Sequence, residues 1–313
     1  MSKDLLSIEL FAFNTHNKIS IQTEDTSILT GASELCHRYE MLFSRTRSES
    51  EIAIINQAAG KPVSVNQELL TFIKTSLLYC AKTHGLFDIT IGKVIELWDF
   101  KKGHVPHQNL VNESLKHVDY KKVRVEKGAV TLEDPCAKID LGGIAKGYIT
   151  DALVDFLKSQ GVTSGLINLG GNVFALGEKP GGTPWSVGIR MPTPSSSQKN
   201  PEVFASVGIR DMSVVTSGIY ERAFSSNDQL YHHILDPKTG FPAKTDLVSA
   251  TIIAKTSLDA DGYTTALIIM GLDKALAFVE RNPALEAIFV STDGSVHTSS
   301  GVEKNFPFSM GSS

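Results

Sequence analysis

Asp140-Leu141-Gly142-Gly143-Ile144-Ala145-Lys146-Gly147-Tyr148 sets a carboxylate and three glycines between a strand and a long amphipathic helix. Glycine lets a backbone come close to a ligand, and the free N–H groups at a helix start, at the positive end of its dipole, attract phosphate. The stretch therefore reads as a phosphate cradle, with a plain glycine-rich turn as the structural alternative. Its spacing fits neither G-x-G-x-x-G nor G-x-x-x-x-G-K-[ST], so the two commonest nucleotide-binding folds are not supported. Downstream, Ala152, Leu153, Phe156 and Leu157 supply a buried helical stripe, Gly161 ends it, and Leu166 to Leu169 returns as a strand.

Working outward, Ile8 to Phe13 and Lys18 to Gln22 read as strands around a turn at Asn14 to Asn17, followed by helical spacing from Ile28 to Phe43. Ser48-Glu49-Ser50-Glu51 reads as a capping box opening a short helix, and Asn66 as the cap of another that stops at Gly85. Beyond the cradle helix, strand-like segments accumulate: Val173 to Leu176, Trp185 to Met191, Val203 to Ile209, Ser213 to Thr216, Leu230 to Leu235 and Leu247 to Ala254. A Ser- and Pro-rich loop is expected over Pro192 to Pro201. Helices from Leu258 to Met270 and Lys274 to Arg281, then strands Ala287 to Ser291 and Ser295 to Thr298, complete the pattern. The class is α+β, with mixed, largely antiparallel sheets flanked by helices. No linker or repeat marks a boundary, so the expectation is one domain over 1–313.

With 313 residues, 42% hydrophobic and 20% charged, the chain can bury a large core. A net charge of −4 with both signs interspersed argues against general affinity for nucleic acid or anionic membrane, and no apolar run suggests an integral membrane segment. Cys36, Cys80 and Cys136 are odd in number and read as unpaired thiols in apolar or structural settings. Met1 to Asp4, followed by Leu5 to Phe13, lacks the charged n-region, apolar h-region and small-residue cleavage site of a secretion signal, so the expectation is a cytoplasmic protein, a removed signal peptide being the other reading.

Asp261 and Thr265, four apart on a predicted helix, project oxygens from one face. Such a pair suits a hard cation such as Mg²⁺, and the lack of a Cys/His cluster in the sequence argues against structural zinc. Taken alone, the pair reads first as a helix cap and a back-bonded threonine. His232-His233 closes a strand before the Asp236-Pro237 turn, so one histidine faces a site and the other solvent, and a near-neutral imidazole can take a proton from an attacking hydroxyl. Thr216-Ser217-Gly218 and Asn168-Leu169-Gly170-Gly171-Asn172 offer further phosphate contacts. Leu86 to Gly92 offers an aromatic and a carboxylate to a heteroaromatic ring, or is a buried strand with a turn.

In this order, a set of motifs resembles the ApbE family of FAD:protein FMN transferases. They are Phe43-Ser44 with Ser50-Glu51-Ile52 and Asn56; Phe87-Asp88-Ile89-Thr90 with Leu97-Trp98; Asp140 to Tyr148; Thr216-Ser217-Gly218; His233 to Pro237 with Thr239-Gly240; and Ala260-Asp261 with Thr265-Ala266. The resemblance implies a Mg²⁺ site at Asp261, Thr265 and the backbone carbonyl of Gly143, which displaces the helix-cap reading. It also implies FAD contacts at Phe13, Thr46, Leu86, Phe87, Asp88, Asp140, Lys146 and Leu235. Phe13-Asn14-Thr15 stands where the family often has Met-Gly-Thr, and Thr46 where it often has an aromatic, so the ring wall departs from the pattern. The implied activity transfers FMN from FAD to a Thr or Ser hydroxyl of an acceptor flavoprotein, with AMP released; an alcohol is a poor nucleophile at neutral pH, so a base is needed, and His233 is the residue assigned to it. FAD hydrolysis to FMN and AMP, or FAD binding without turnover, are the alternatives.

Overall fold

Phe13 and Asn14 hold φ of 55° and 59°, the left-handed pair of a two-residue hairpin turn, and they join the strands Leu5–Ala12 and Thr15–Gln22. The turn is therefore tighter than the sequence suggested and lies one residue earlier, because Asn17 is buried in the strand. Its Nδ2 donates to the carbonyls of Ala12 and Thr15, both at 3.0 Å, and stitches the turn shut. The structure, a computed structural model, describes residues 5–192 and 202–311. Met1 to Asp4, and the expected loop but for Pro192, lie outside the described residues.

The chain packs as two compact units. The first comprises the described residues of Met1–Tyr39, Ile144–Gly218 and Thr245–Ser313. Its eight-stranded sheet runs, edge to edge, Leu5–Ala12, Thr15–Gln22, Gly165–Leu169, Asn172–Leu176, Met212–Gly218, Leu247–Ala254, Leu285–Ser291 and Val296–Thr298. Every residue of Leu247–Ala254 is buried, side chains on both faces included, in keeping with its run of apolar and small residues. The helix Ser257–Met270 packs on this strand and on Met212–Gly218, and also against the helix Ala145–Ser159. A three-stranded sheet of Trp185–Arg190, Val203–Ile209 and Phe308–Met310 accompanies them. Gly170 and Gly171, with φ of 58° and 92°, form the two-residue turn between Gly165–Leu169 and Asn172–Leu176. That stretch is a hairpin turn, and this accounts for its glycines.

The second unit comprises Glu40–Gly143 and Ile219–Lys244. Asn66 caps the helix Gln67–Lys82 by accepting from Glu68 N at 2.8 Å, and Gly85 with φ of 76° closes it, as expected. The capping box is displaced: Ser50, not Ser48, caps Glu51–Gln57, accepting from Ala53 N at 3.0 Å. Glu51 is then free to accept from Asn66 N, tying the two helix starts together. Three short strands, in the order Val63–Ser64, Ala129–Leu132, Val123–Glu126, and the hairpin Ala223–Ser226/Gln229–His232 complete the unit. The strand expected before the cradle is reduced to a bridge between Ile91 and Lys138, the one parallel pairing beside antiparallel strands among the described residues. The fold is thus α+β with antiparallel sheets and flanking helices. Among the described residues, no helix is long and apolar enough to cross a membrane.

Candidate active site

In the first unit, Gly147 of the helix Ala145–Ser159 lies close against the helix Ser257–Met270. A Cβ there would meet Ser257 O at 2.6 Å, Asp261 Cβ at 2.7 Å and Leu258 Cα at 2.8 Å. The missing side chain lets the Gly147 N–H donate to Asp261 Oδ2 at 2.8 Å. The third glycine of the cradle therefore serves helix packing and a carboxylate rather than a phosphate. Asp261 is buried, its Oδ1 lies 3.8 Å from Lys146 Nζ, and burial pushes its pKa up while Lys146 and the Gly147 N–H pull it down.

Asp261 is not the helix cap. Thr256 caps Ser257–Met270 by accepting from Asp259 N at 3.1 Å, and Asp151 accepts from Ser257 N at 2.7 Å and Leu258 N at 2.9 Å. Burial drives the Asp151 carboxyl up to about 6, against the pull of those two N–H groups. Beneath the helix start, Asn172 Oδ1 accepts from Thr150 Oγ1 at 3.0 Å and Ser257 Oγ at 2.5 Å, and Ser213 Oγ donates to Ser257 Oγ at 3.0 Å. These bonds fix the turn that presents Asp261. Thr265 is half-buried one turn further on. Thr216 and Ser217, read as candidate phosphate contacts, also bond within the unit: Thr216 Oγ1 to Thr251 Oγ1 at 2.8 Å, and Ser217 Oγ to Thr264 Oγ1 at 2.9 Å. Phe13, half-buried, sits in the first hairpin turn.

In the second unit, Asp140 ends a clamped segment. Asn56 bonds the backbone of Ile139 in both directions, at 2.6 and 2.9 Å, and Asp140 N donates to Ile89 O at 2.8 Å. The Asp140 carboxylate accepts from Gly142 N at 2.7 Å and pairs with Arg45 Nε at 2.5 Å. Gly142 and Gly143 are exposed. Sequence reasoning missed Arg45; only its place directly after Phe43-Ser44 could have flagged it. Thr46 is exposed, its Oγ1 3.1 Å from Ser44 Oγ.

Leu86 is half-buried and Phe87 buried. The buried Asp88 carboxylate accepts from Thr90 N at 2.8 Å, Thr90 Oγ1 at 2.6 Å and Tyr120 N at 3.1 Å. Desolvation raises its pKa, opposed by those bonds. Its oxygens hold the loop, and no strand forms over Leu86 to Gly92. The Asp236-Pro237 turn is as expected: Asp236 Oδ1 accepts from Lys238 N at 2.8 Å, and Gly240, with φ of 69°, donates to Asp236 O at 2.8 Å. Leu235 is buried in an apolar cluster with Val94 and Trp98. The strand ends at His232, before the expected Leu235. His232 is buried, and desolvation lowers its pKa. His233 is half-buried, and its N–H donates to Arg222 O at 3.0 Å. The expectation that one of the pair faces solvent therefore fails, because His232 is buried at the end of the hairpin strand and His233 is half-buried.

The ApbE family profile matches residues 13–289. The chain belongs to the ApbE family. It is 37% identical over 286 residues to the FAD:protein FMN transferase of Treponema pallidum, covering 86% of this chain and 78% of that protein. It is 34% identical to one from Klebsiella pneumoniae, covering 90% and 88%. The crystal structure of the ApbE protein of Thermotoga maritima superposes with a TM-score of 0.88 at 31% identity, covering 96% of this chain and 99% of that one. The flavin transferase ApbE of Vibrio cholerae gives 0.83 at 26% identity, with the same coverage. The ApbE fold thus extends over nearly the whole chain.

Proposed function

We infer that this chain is an FAD:protein FMN transferase. It breaks the pyrophosphate of FAD, joins the FMN phosphorus to a Thr or Ser hydroxyl oxygen of an acceptor flavoprotein, and releases AMP. Membership of a family whose similar members bear that name supports the reading, and the observation that carries it to chemistry is Asp261, a buried carboxylate aligned by the Gly147 N–H.

The residues fit Mg²⁺. Asp261 and Thr265 supply hard oxygen donors, and a carboxylate whose burial raises its pKa gains from a nearby cation. Asp261, Thr265 and the carbonyl of Gly143 would hold the ion, which when bound neutralises phosphate charge and stabilises the leaving AMP.

The protein's own groups do the rest. Lys146, 3.8 Å from Asp261, offsets phosphate charge. His233 takes the proton from the acceptor hydroxyl, a poor nucleophile at neutral pH. Phe13, Thr46, Leu86, Phe87, Asp88, Asp140 and Leu235 contact FAD. The oxygens of Asp88 and Asp140 are already committed to protein donors, so these two residues act by fixing the backbone that meets the ligand.

The reading is tested by incubating the chain with FAD, Mg²⁺ and a Thr-bearing flavoprotein subunit. Flavin fluorescence on the acceptor band of a denaturing gel is expected. An acceptor that never retains flavin, across Thr- and Ser-bearing candidates, overturns it.

A further inference from the structure

His117, just beyond the helix Gln108–Leu115, and the turn Asp134-Pro135-Cys136, just beyond the strand Ala129–Leu132, converge within the second unit. His117 Nδ1 lies 2.9 and 3.0 Å from the two oxygens of Asp134, and Cys136 N donates to Asp134 Oδ1 at 2.9 Å. One ligand atom from each of the three side chains falls within 4.8 Å of the other two. His117 and Asp134 are half-buried, whereas Cys136 is exposed. An imidazole, a carboxylate and a thiol form a donor set that the hard cation at Asp261 would not select. Nitrogen and sulfur favour a borderline-soft ion, and zinc takes all three ligand types at roughly 2.0–2.3 Å. A His–Asp pair alone would account for the first two residues, but not for the thiol beside them.

We propose that His117, Asp134 and Cys136 form a binding site for a divalent cation of the zinc class, with a fourth position left open to water. The turn presets two of the ligands: the bond from Cys136 N anchors the carboxylate, and the fixed φ of Pro135 limits the chain between them. Rotation of the exposed Cys136 side chain can carry its Sγ toward the other two donors, which already lie together. On binding, the thiol loses its proton to solvent, and the neutral imidazole of His117 carries its one ring proton on Nε2 so that the Nδ1 lone pair meets the ion, while no atom changes oxidation state.

The test uses the full chain in excess Mg²⁺, which occupies oxygen-only sites without competing for thiolate, with Co²⁺ as the probe. A thiolate-to-cobalt charge-transfer band in the near ultraviolet should grow to saturation at one ion per chain. It should collapse on adding Zn²⁺ and be lost in both Cys136→Ser and His117→Ala. Circular dichroism establishes that each variant is folded, and Cys136, being exposed, is the safer of the two to replace. Absence of the band in the wild-type chain overturns the proposal. So does its survival in folded Cys136→Ser or folded His117→Ala.

Discussion

Gly147 donates its backbone N–H to the carboxylate of Asp261 across 114 residues of sequence, at 2.8 Å. The glycine is needed there because any side chain would strike the backbone of the facing helix. Gly147→Ala should therefore cost about 1–3 kcal/mol of stability through overpacking. Because the clash falls on Asp261, transfer per folded molecule should fall as well. Urea unfolding together with rates normalised to folded protein measures both, and a variant as stable and active as wild type would contradict the packing role.

Asp261→Asn keeps an acceptor for the Gly147 N–H but removes the charge. Activity should drop by at least about 10²-fold, as when other charge-stabilising groups of a transition state are lost. Thermal stability should hold or rise, since burial already disfavours the ionised carboxylate. Excess chelator should reproduce the loss in wild type, and Mg²⁺ should reverse it. Full activity in the variant, or in chelator, would remove Asp261 from the metal site.

The two histidines should separate by what their loss affects. His233→Ala should slow transfer by about 10²–10⁴-fold with little change in FAD affinity, the signature of a lost general base. His232→Ala, at a buried position, should instead lower the urea midpoint while the rate per folded molecule stays near wild type. The reverse pattern would exchange their roles.

Asp151 gives a pH signature. Its folded pKa of about 6 lies above the ordinary 3.8, so the folded state holds the proton more tightly. The stability this contributes is fully present below pH 3.8 and is lost as pH rises through about 6. Between pH 7 and pH 5 the group should add about 1 kcal/mol to the wild type that Asp151→Asn lacks. Denaturant midpoints at the two pH values test this, and equal changes in both proteins would contradict it.

What the sequence made legible follows from local physics. The strands Val203–Ile209 and Leu247–Ala254 match the reading residue for residue, because β-branched and apolar runs bounded by turns need no distant information. The motif at Asp140 to Tyr148 located a helix start and, through Gly147, the partner of Asp261, although the glycine's purpose was misread. The missed features are products of topology. Arg45 reaches Asp140 from another segment, Asp151 caps a helix far along the chain, and Cys136, expected in an apolar or structural setting, is exposed beside His117 and Asp134. A Cys/His search by spacing overlooks that trio, because its histidine lies 17 residues before its carboxylate.

Transfer differs from hydrolysis in the fate of the FMN phosphorus, so the most direct measurement is the ratio of AMP released to flavin bound covalently to protein. With FAD, Mg²⁺ and a Thr-bearing flavoprotein subunit, the two should rise together at about one to one, and without acceptor AMP should form only slowly, because a closed phosphoryl-transfer site excludes water. Rapid AMP release that ignores the acceptor, with no flavin surviving denaturation on protein, would contradict transfer and establish hydrolysis.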